Sequence, residues 1–310
     1  MQTITRKAYA KINLALDVVR RLDNGYHEVR MIMQTVGLYD ELTFQKTDGG
    51  IVLTVDMTSS SRDAARTREG ARLPLQTDSP NGAVPADQSN LIYKAAKLLL
   101  DSSGVTDGVS IHLRKNIPVA AGMAGGSTDA AATLLGLNAL FGLHYTKEEL
   151  RALGVKIGAD VPYCIQGGTA LAEGIGEILS PLPAPPAAHL VIAKPDIDVS
   201  TAFVYRNLHL ETVMLHPDID GMIAALDRQD LKGIADRLGN VLETVTVPAY
   251  PVIAQIKEKM VSHGAQGALM SGSGPTVFGI FEHSEEAQSA AEDIRTQGLA
   301  GQVFVTGFEP

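Results

Sequence analysis

The chain is poor in the residues on which redox and thiolate-metal chemistry depend: of its 310 residues one is cysteine, Cys164, and none is tryptophan. A single thiol permits neither an internal disulfide nor a multi-thiolate zinc site, and it fits a reducing compartment. Long apolar spans are missing as well. With histidine counted as neutral, the longest uncharged runs are 17 residues (130–146), which contain Asn138 and His144, and 22 residues (260–281), which contain His263, five glycines and a proline. Neither would span about 30 Å of hydrocarbon. Lys7 and Lys11 stand where a signal peptide would carry its apolar segment, so the expectation is a cytoplasmic protein with no membrane partner. Positive charge is in deficit: 26 basic against 35 acidic residues give a formal charge of -9. That balance repels a phosphate backbone, and no nucleic-acid partner is expected. The eight histidines show no HExxH or paired ligand spacing, so no protein-built metal site is expected.

Apolar residues at 45% and charged residues at 20% describe an ordinary globular chain, long enough for two domains. The only proline-dense tract, Pro181-Leu182-Pro183-Ala184-Pro185-Pro186, reads as a stiff connection. It divides the chain into 1–182 and 183–310. Residues 56–88 have no aromatics, several Ser, Thr, Pro and Gly, and mixed charges, the composition of a long exposed loop.

Ala8, Ala10, Ile12, Leu14, Leu16 and Val18 alternate with the mostly polar Lys7, Tyr9, Lys11, Asn13 and Asp17. This period of two predicts a half-buried strand with Lys11 and Asn13 on one face. Asp23-Asn24-Gly25 predicts a turn, and residues 29–44 a further strand. Residues 90–100 predict a helix capped by Ser89 or Asn90, and Thr146 with Glu149 forms a capping-box pattern. Helical patterns at 219–226, 252–261 and 285–296 and strand patterns at 189–193 and 302–307 make the second half mixed, giving an α+β class.

The most informative stretch is NIPVAAGMAGGSTDAAATLLGLNALFG at 116–142, a glycine-rich loop entering an Ala/Leu helix with Ser127, Thr128 and Asp129 as capping residues and Gly142 as its stop. Bare backbone amides at a helix start attract phosphate. The Walker pattern fails, because no Gly-Lys-Ser/Thr follows at the required spacing. The dinucleotide pattern also fails, since GSGPTV has Val277 in the sixth position. Gly272, Ser273 and Gly274 form a second glycine loop in the other half, and two such loops from different domains can close around one ligand. Taken singly, Lys11 reads as a solvated lysine and Asp160, ahead of Pro162, as a helix cap.

Three segments, AYAKINLALDV, IPVAAGMAGGSTDAAA and GALMSGSGPTVFGIF, occur in the order of the three motifs of the GHMP kinase superfamily, and the chain resembles that family over nearly its whole length. Within it, KINLALDVVRRLDNGYHEV and LGVKIGADVPYCIQGGTALAEGIGE resemble the branch that acts on a cytidyl diphosphate sugar alcohol. Departures are Asn24 inserted in the turn, Met123 and Thr128 where Leu and Ser are usual, and the segment 56–88. The resemblance implies a ribosomal S5 domain 2-like N-terminal domain and a ferredoxin-like C-terminal domain, with ATP and substrate between them. It implies Lys11 and Asp160 as the catalytic pair, transferring the γ-phosphoryl group of ATP, with Mg²⁺ on the phosphates, to a 2-hydroxyl. It places the phosphates on Pro118, Val119, Ala120, Ala121, Gly122, Met123, Ala124, Gly125, Gly126, Ser127 and Thr128. It puts the cytosine between Tyr26 and Tyr205, with His27 on its edge, and Asn13 against the polar groups of the substrate. A monomer or weak homodimer is expected.

Overall fold

The computed structural model describes residues 2–58 and 84–309; most of the expected loop at 56–88 lies outside the described residues. Asp56 and Met57, assigned to that loop from sequence, instead close a strand. Strands β1 (Thr3–Arg21) and β2 (His27–Thr47) form a long antiparallel hairpin. Its turn is held by Asn24, whose Oδ1 accepts the Tyr26 amide at 3.0 Å. β3 (Ile51–Met57) runs parallel to β4 (Gly108–Lys115), and β4 lies antiparallel to β2. β5 (Thr169–Glu173) pairs with β2 and with β6 (Ile178–Leu182).

Helices α1 (Leu91–Ser103), α2 (Gly125–Phe141), α3 (Lys147–Gly154) and α4 (Val161–Gln166) belong to this half. Asn90 caps α1 through the Ile92 amide, and Thr146 and Glu149 form the full capping box of α3. α2 packs on α1 and on the β1–β2 hairpin, with Leu134, Leu137 and Leu140 in a core that includes Phe44 and Ile111. Gly136 is required there, since a Cβ would stand 2.5 Å from the Phe44 ring.

The second half builds a separate antiparallel sheet in the order β11 (Gln302–Gly307), β7 (His189–Lys194), β10 (Val277–Phe281), β9 (Gly267–Met270). Helices α9 (Val252–Ser262) and α10 (Ser284–Thr296) pack against it, and α5 (Thr201–Asn207), α6 (Ile219–Asp227), α7 (Leu231–Ala235) and α8 (Glu243–Ala249) complete this half. One short strand crosses back: β8 (Gly239–Asn240) pairs parallel with Ala15 and Leu16 of β1.

β1 departs from the half-buried strand expected of it. Residues 10–16 are buried on both faces, because β1 is interior to the sheet and Leu16 and Val18 share a core with Val241, Leu242 and Met270 of the second half. The two halves therefore meet along the strand that carries Lys11.

Candidate active site

Between the halves lies a cleft of about 1260 Å³. Lys11 enters it from β1 at an irregularity: the β1–β2 register shifts between Tyr9 and Lys11, the kink of a β-bulge, which takes a backbone amide out of the ladder. The Lys11 amide instead bonds the Met123 carbonyl at 3.2 Å, tying the strand to the glycine loop. Its side chain, in a residue only 5% exposed, donates from Nζ to Asn13 Oδ1 at 2.8 Å and stands 3.9 Å from Asp160 Oδ2. Asp160 occupies the N-cap position of α4 yet makes no side-chain capping bond. The helix-cap reading of this residue is thus corrected: Pro162 already fits the first turn, and the carboxylate faces Lys11 and the cleft.

The glycine loop also differs from its sequence reading. α2 begins at Gly125, two residues before the expected Ser-Thr-Asp caps, and its N-cap is Ala124 at φ 56° with no side-chain cap bond. The amides of the first turn are consequently left for a ligand, at the positive end of a 17-residue helix. Ala120 joins Ala124 at positive φ, a conformation that costs an L-residue about 1 to 2 kcal/mol and that concentrates at functional loops. Of the expected phosphate residues, 118–122 and 124–127 line the cleft, whereas Met123 and Thr128 do not. Met123 is core. Thr128 is buried against Cys164, whose thiol burial pushes above its ordinary range.

The second glycine loop closes against the first. Ser271 Oγ donates to the Gly122 carbonyl at 3.0 Å, and Asn240 Nδ2 donates to the carbonyls of Met270 and Gly272 at 2.9 and 2.8 Å. Gly272 and Ser273 face the cleft.

At the far end Tyr26, His27 and Tyr205 all line the cleft. Tyr26 is 58% exposed, and the His27 ring lies against Tyr205, centroids 5.0 Å apart at 36°. Asn13 does not reach the cleft wall. It is fully buried, accepting from Lys11 and donating to the Met31 sulfur at 3.3 Å.

Sequence reasoning missed Asp40 and Lys115, and read Asp129 as a helix cap. The three are buried together: Lys115 Nζ donates to Asp40 and, at 2.6 Å, to Asp129. Their signal is a break in alternation. Asp40 falls on the apolar stripe of Val36, Leu38, Leu42 and Phe44, and Lys115 on that of Val109, Ile111 and Leu113.

A small-molecule kinase of the GHMP class is what this fold and cleft define. The family model for the GHMP kinase N-terminal domain matches residues 90–168 and that for the C-terminal domain residues 222–299. Similar proteins include the 4-diphosphocytidyl-2-C-methyl-D-erythritol kinases of Lachnospira eligens, 49% identical over 99% of this chain and 98% of the relative, and of Clostridium perfringens, 45% identical over 97% and 96%. A crystal structure of 4-(cytidine 5'-diphospho)-2C-methyl-D-erythritol kinase superposes with a TM-score of 0.79 at 32% identity, covering 99% of this chain and all of that one. The homoserine kinase of Cytophaga hutchinsonii, at 20% identity and a TM-score of 0.74 over 99% of this chain and 95% of its own, shares the fold. The chain belongs to the 4-diphosphocytidyl-2-C-methyl-D-erythritol kinase family. No described helix is long and apolar enough to cross a membrane.

Proposed function

We propose that the protein transfers the γ-phosphoryl group of ATP to the 2-hydroxyl of 4-diphosphocytidyl-2-C-methyl-D-erythritol, giving the 2-phosphate and ADP, in the cytoplasm, for isoprenoid precursor synthesis by the non-mevalonate route. The observation that carries this is the Lys11–Asp160 pair at 3.9 Å in the same cleft as an uncapped glycine loop.

Phosphoryl transfer asks the protein for positioning and charge neutralisation, with little covalent work. Asp160 accepts a hydrogen bond from the attacking hydroxyl and takes its proton late. Lys11, aimed by Asn13, stabilises charge on the attacking oxygen. The loop suits phosphate oxygens: no side chain caps its first-turn amides, and Gly125 and Gly126 line the cleft with no side chain to hold a phosphate away. Among the described residues no group of three or more His, Cys, Asp or Glu could hold a metal. The reading places Mg²⁺ on the ATP phosphates, whose hard oxygens suit it.

Tyr26, His27 and Tyr205 would take the cytosine, with stacking worth about 1 to 3 kcal/mol per base. Burial, and then Arg21, lower the His27 pKa from the ordinary 6.5. The ring stays neutral at pH 7, with one nitrogen donating and the other accepting. By linkage, the stability it contributes is present above pH 6.5 and lost as pH falls through its lowered folded value. The expected KM for the cytidyl substrate changes little between about pH 8 and 7 and rises chiefly below about pH 6.5. A KM that climbs steadily between pH 7.5 and 6.5, and is flat in His27→Gln, contradicts this assignment.

A coupled ADP-release assay with 4-diphosphocytidyl-2-C-methyl-D-erythritol, homoserine and mevalonate tests the reaction. Turnover of the cytidyl alcohol is expected; turnover of homoserine alone overturns the reading.

A further inference from the structure

The floor of the cleft holds a charged cluster that the reaction above does not use. Asp40 lies on β2, Lys115 ends β4, and Asp129 stands near the start of α2, at 0%, 3% and 3% exposure. Lys115 Nζ donates to Asp129 Oδ2 at 2.6 Å and to Asp40 Oδ2. Asp40 Oδ1 accepts the amides of Asn116 and Ile117 at 2.6 and 2.8 Å. The chain enters the glycine loop through Asn116 and Ile117 and leaves it through the first residues of α2. One ammonium group thus ties the two ends of a single loop, directly beneath it: a Cβ on Gly125 would stand 3.1 Å from Lys115 Nζ.

Two features distinguish this cluster from an ordinary buried ion pair. Asp129 Oδ1 is buried with no hydrogen-bond partner, an unfavourable arrangement for a carboxyl oxygen, and both Asp129 and Lys115 belong to the cleft wall. There is also one carboxyl more than the ammonium can balance. Burial disfavours the Lys115 charge, but Asp129 and Asp40 more than offset it and hold the pKa up. Burial pushes the Asp129 carboxyl up against the pull of Lys115, with Asp40 adding to the rise. With a proton on one carboxyl the cluster is neutral, and a neutral floor does not repel a triphosphate.

We infer that Asp40, Lys115 and Asp129 are positioning residues for the nucleotide: by joining the entry and exit of the glycine loop they set the spacing of its free amides, and so govern affinity for the phosphates of ATP without affecting the alcohol substrate. The inference rests on the proposed reading of this loop as the ATP site.

The test is titration calorimetry of the full chain and of the Lys115→Met and Asp129→Asn variants with the magnesium complex of the non-hydrolysable ATP analogue AMP-PNP, and separately with CDP, alongside thermal melts. Loss of a charge-assisted contact predicts that AMP-PNP binds about 10-fold more weakly to Lys115→Met and about 3-fold or more to Asp129→Asn, with CDP affinity within about 2-fold of wild type. Asp129→Asn keeps an oxygen for Lys115 and decides the question should Lys115→Met not fold. Unchanged AMP-PNP affinity in folded Asp129→Asn overturns the inference, and so does equal weakening of AMP-PNP and CDP. A wild type that does not bind AMP-PNP breaks the ATP-site reading itself, and the inference with it.

Discussion

Asp160→Asn and Lys11→Met are each expected to lower kcat by about 10² to 10⁴, the range for a positioned acid-base or electrostatic group, with KM for ATP changed by less than about 3-fold. The asparagine keeps the size of the side chain and its place ahead of α4. No capping bond is lost, because Asp160 makes none. It removes the acceptor of the hydroxyl proton. Methionine fills the space of the Lys11 stem, which matters for a residue 5% exposed, and deletes the ammonium that faces both Asn13 and Asp160. If the two groups act on one attacking oxygen, the double variant costs little more than the worse single one, because groups that act as a unit are not additive. Initial-rate kinetics on the three variants provide the measurement. Wild-type turnover in either single variant removes the role assignment, and independent, multiplicative losses argue that the pair does not work on a common atom.

Gly122→Ala is the second large effect. Gly122 sits at φ 67°, and a Cβ there would stand 2.2 Å from the Ser271 carbonyl oxygen, a backbone atom that cannot rotate aside. That carbonyl also accepts the Gly274 amide at 3.0 Å, so relief must displace one of the two glycine loops. The backbone conformation alone costs about 1 to 2 kcal/mol, and displacement raises the total to about 3 kcal/mol or more. Gly298→Ala supplies the control, with φ 64° and nothing within 4 Å of the added methyl. It should lose only the conformational part, about 1 to 2 kcal/mol, and retain wild-type kinetics. Thermal or urea melts read the stability difference, and KM for ATP reads the displaced loop: an increase of about 10-fold or more is expected for Gly122→Ala alone. Equal stability losses in the two variants would show that the contact between the loops carries no weight.

Those expectations draw on different layers of information. That Lys11 and Asn13 share one face of β1 was legible, because alternation at residues 8–18 is a local property of an extended chain; that both faces are buried was not. The capping box at Thr146 and Glu149 and the Asn90 cap were equally local. The start of α2 was not. Ser127, Thr128 and Asp129 have the chemistry of caps, but glycines and an alanine at positive φ begin the helix before them. Local propensity lost there to a loop held from outside, by the Lys11 amide on Met123 and by Ser271 on Gly122. Asp40 and Lys115 were visible as charges on apolar stripes, yet a charge at a strand end is ordinarily solvated. Only their burial against Asp129 turns them into one cluster.

By itself the amino-acid sequence determined the elements, the glycine loops, the acidic balance and the family, since periodicity, turn chemistry and motif order are all written within short windows. The tertiary structure decided the rest. It brought residue 11 and residue 160 to 3.9 Å, set Asn13 against Met31 and Thr128 against Cys164, and pressed one glycine loop onto the other. Each of these is a contact between segments far apart in the chain, and such contacts depend on how β1, α2 and the second sheet pack, which no short window of sequence contains.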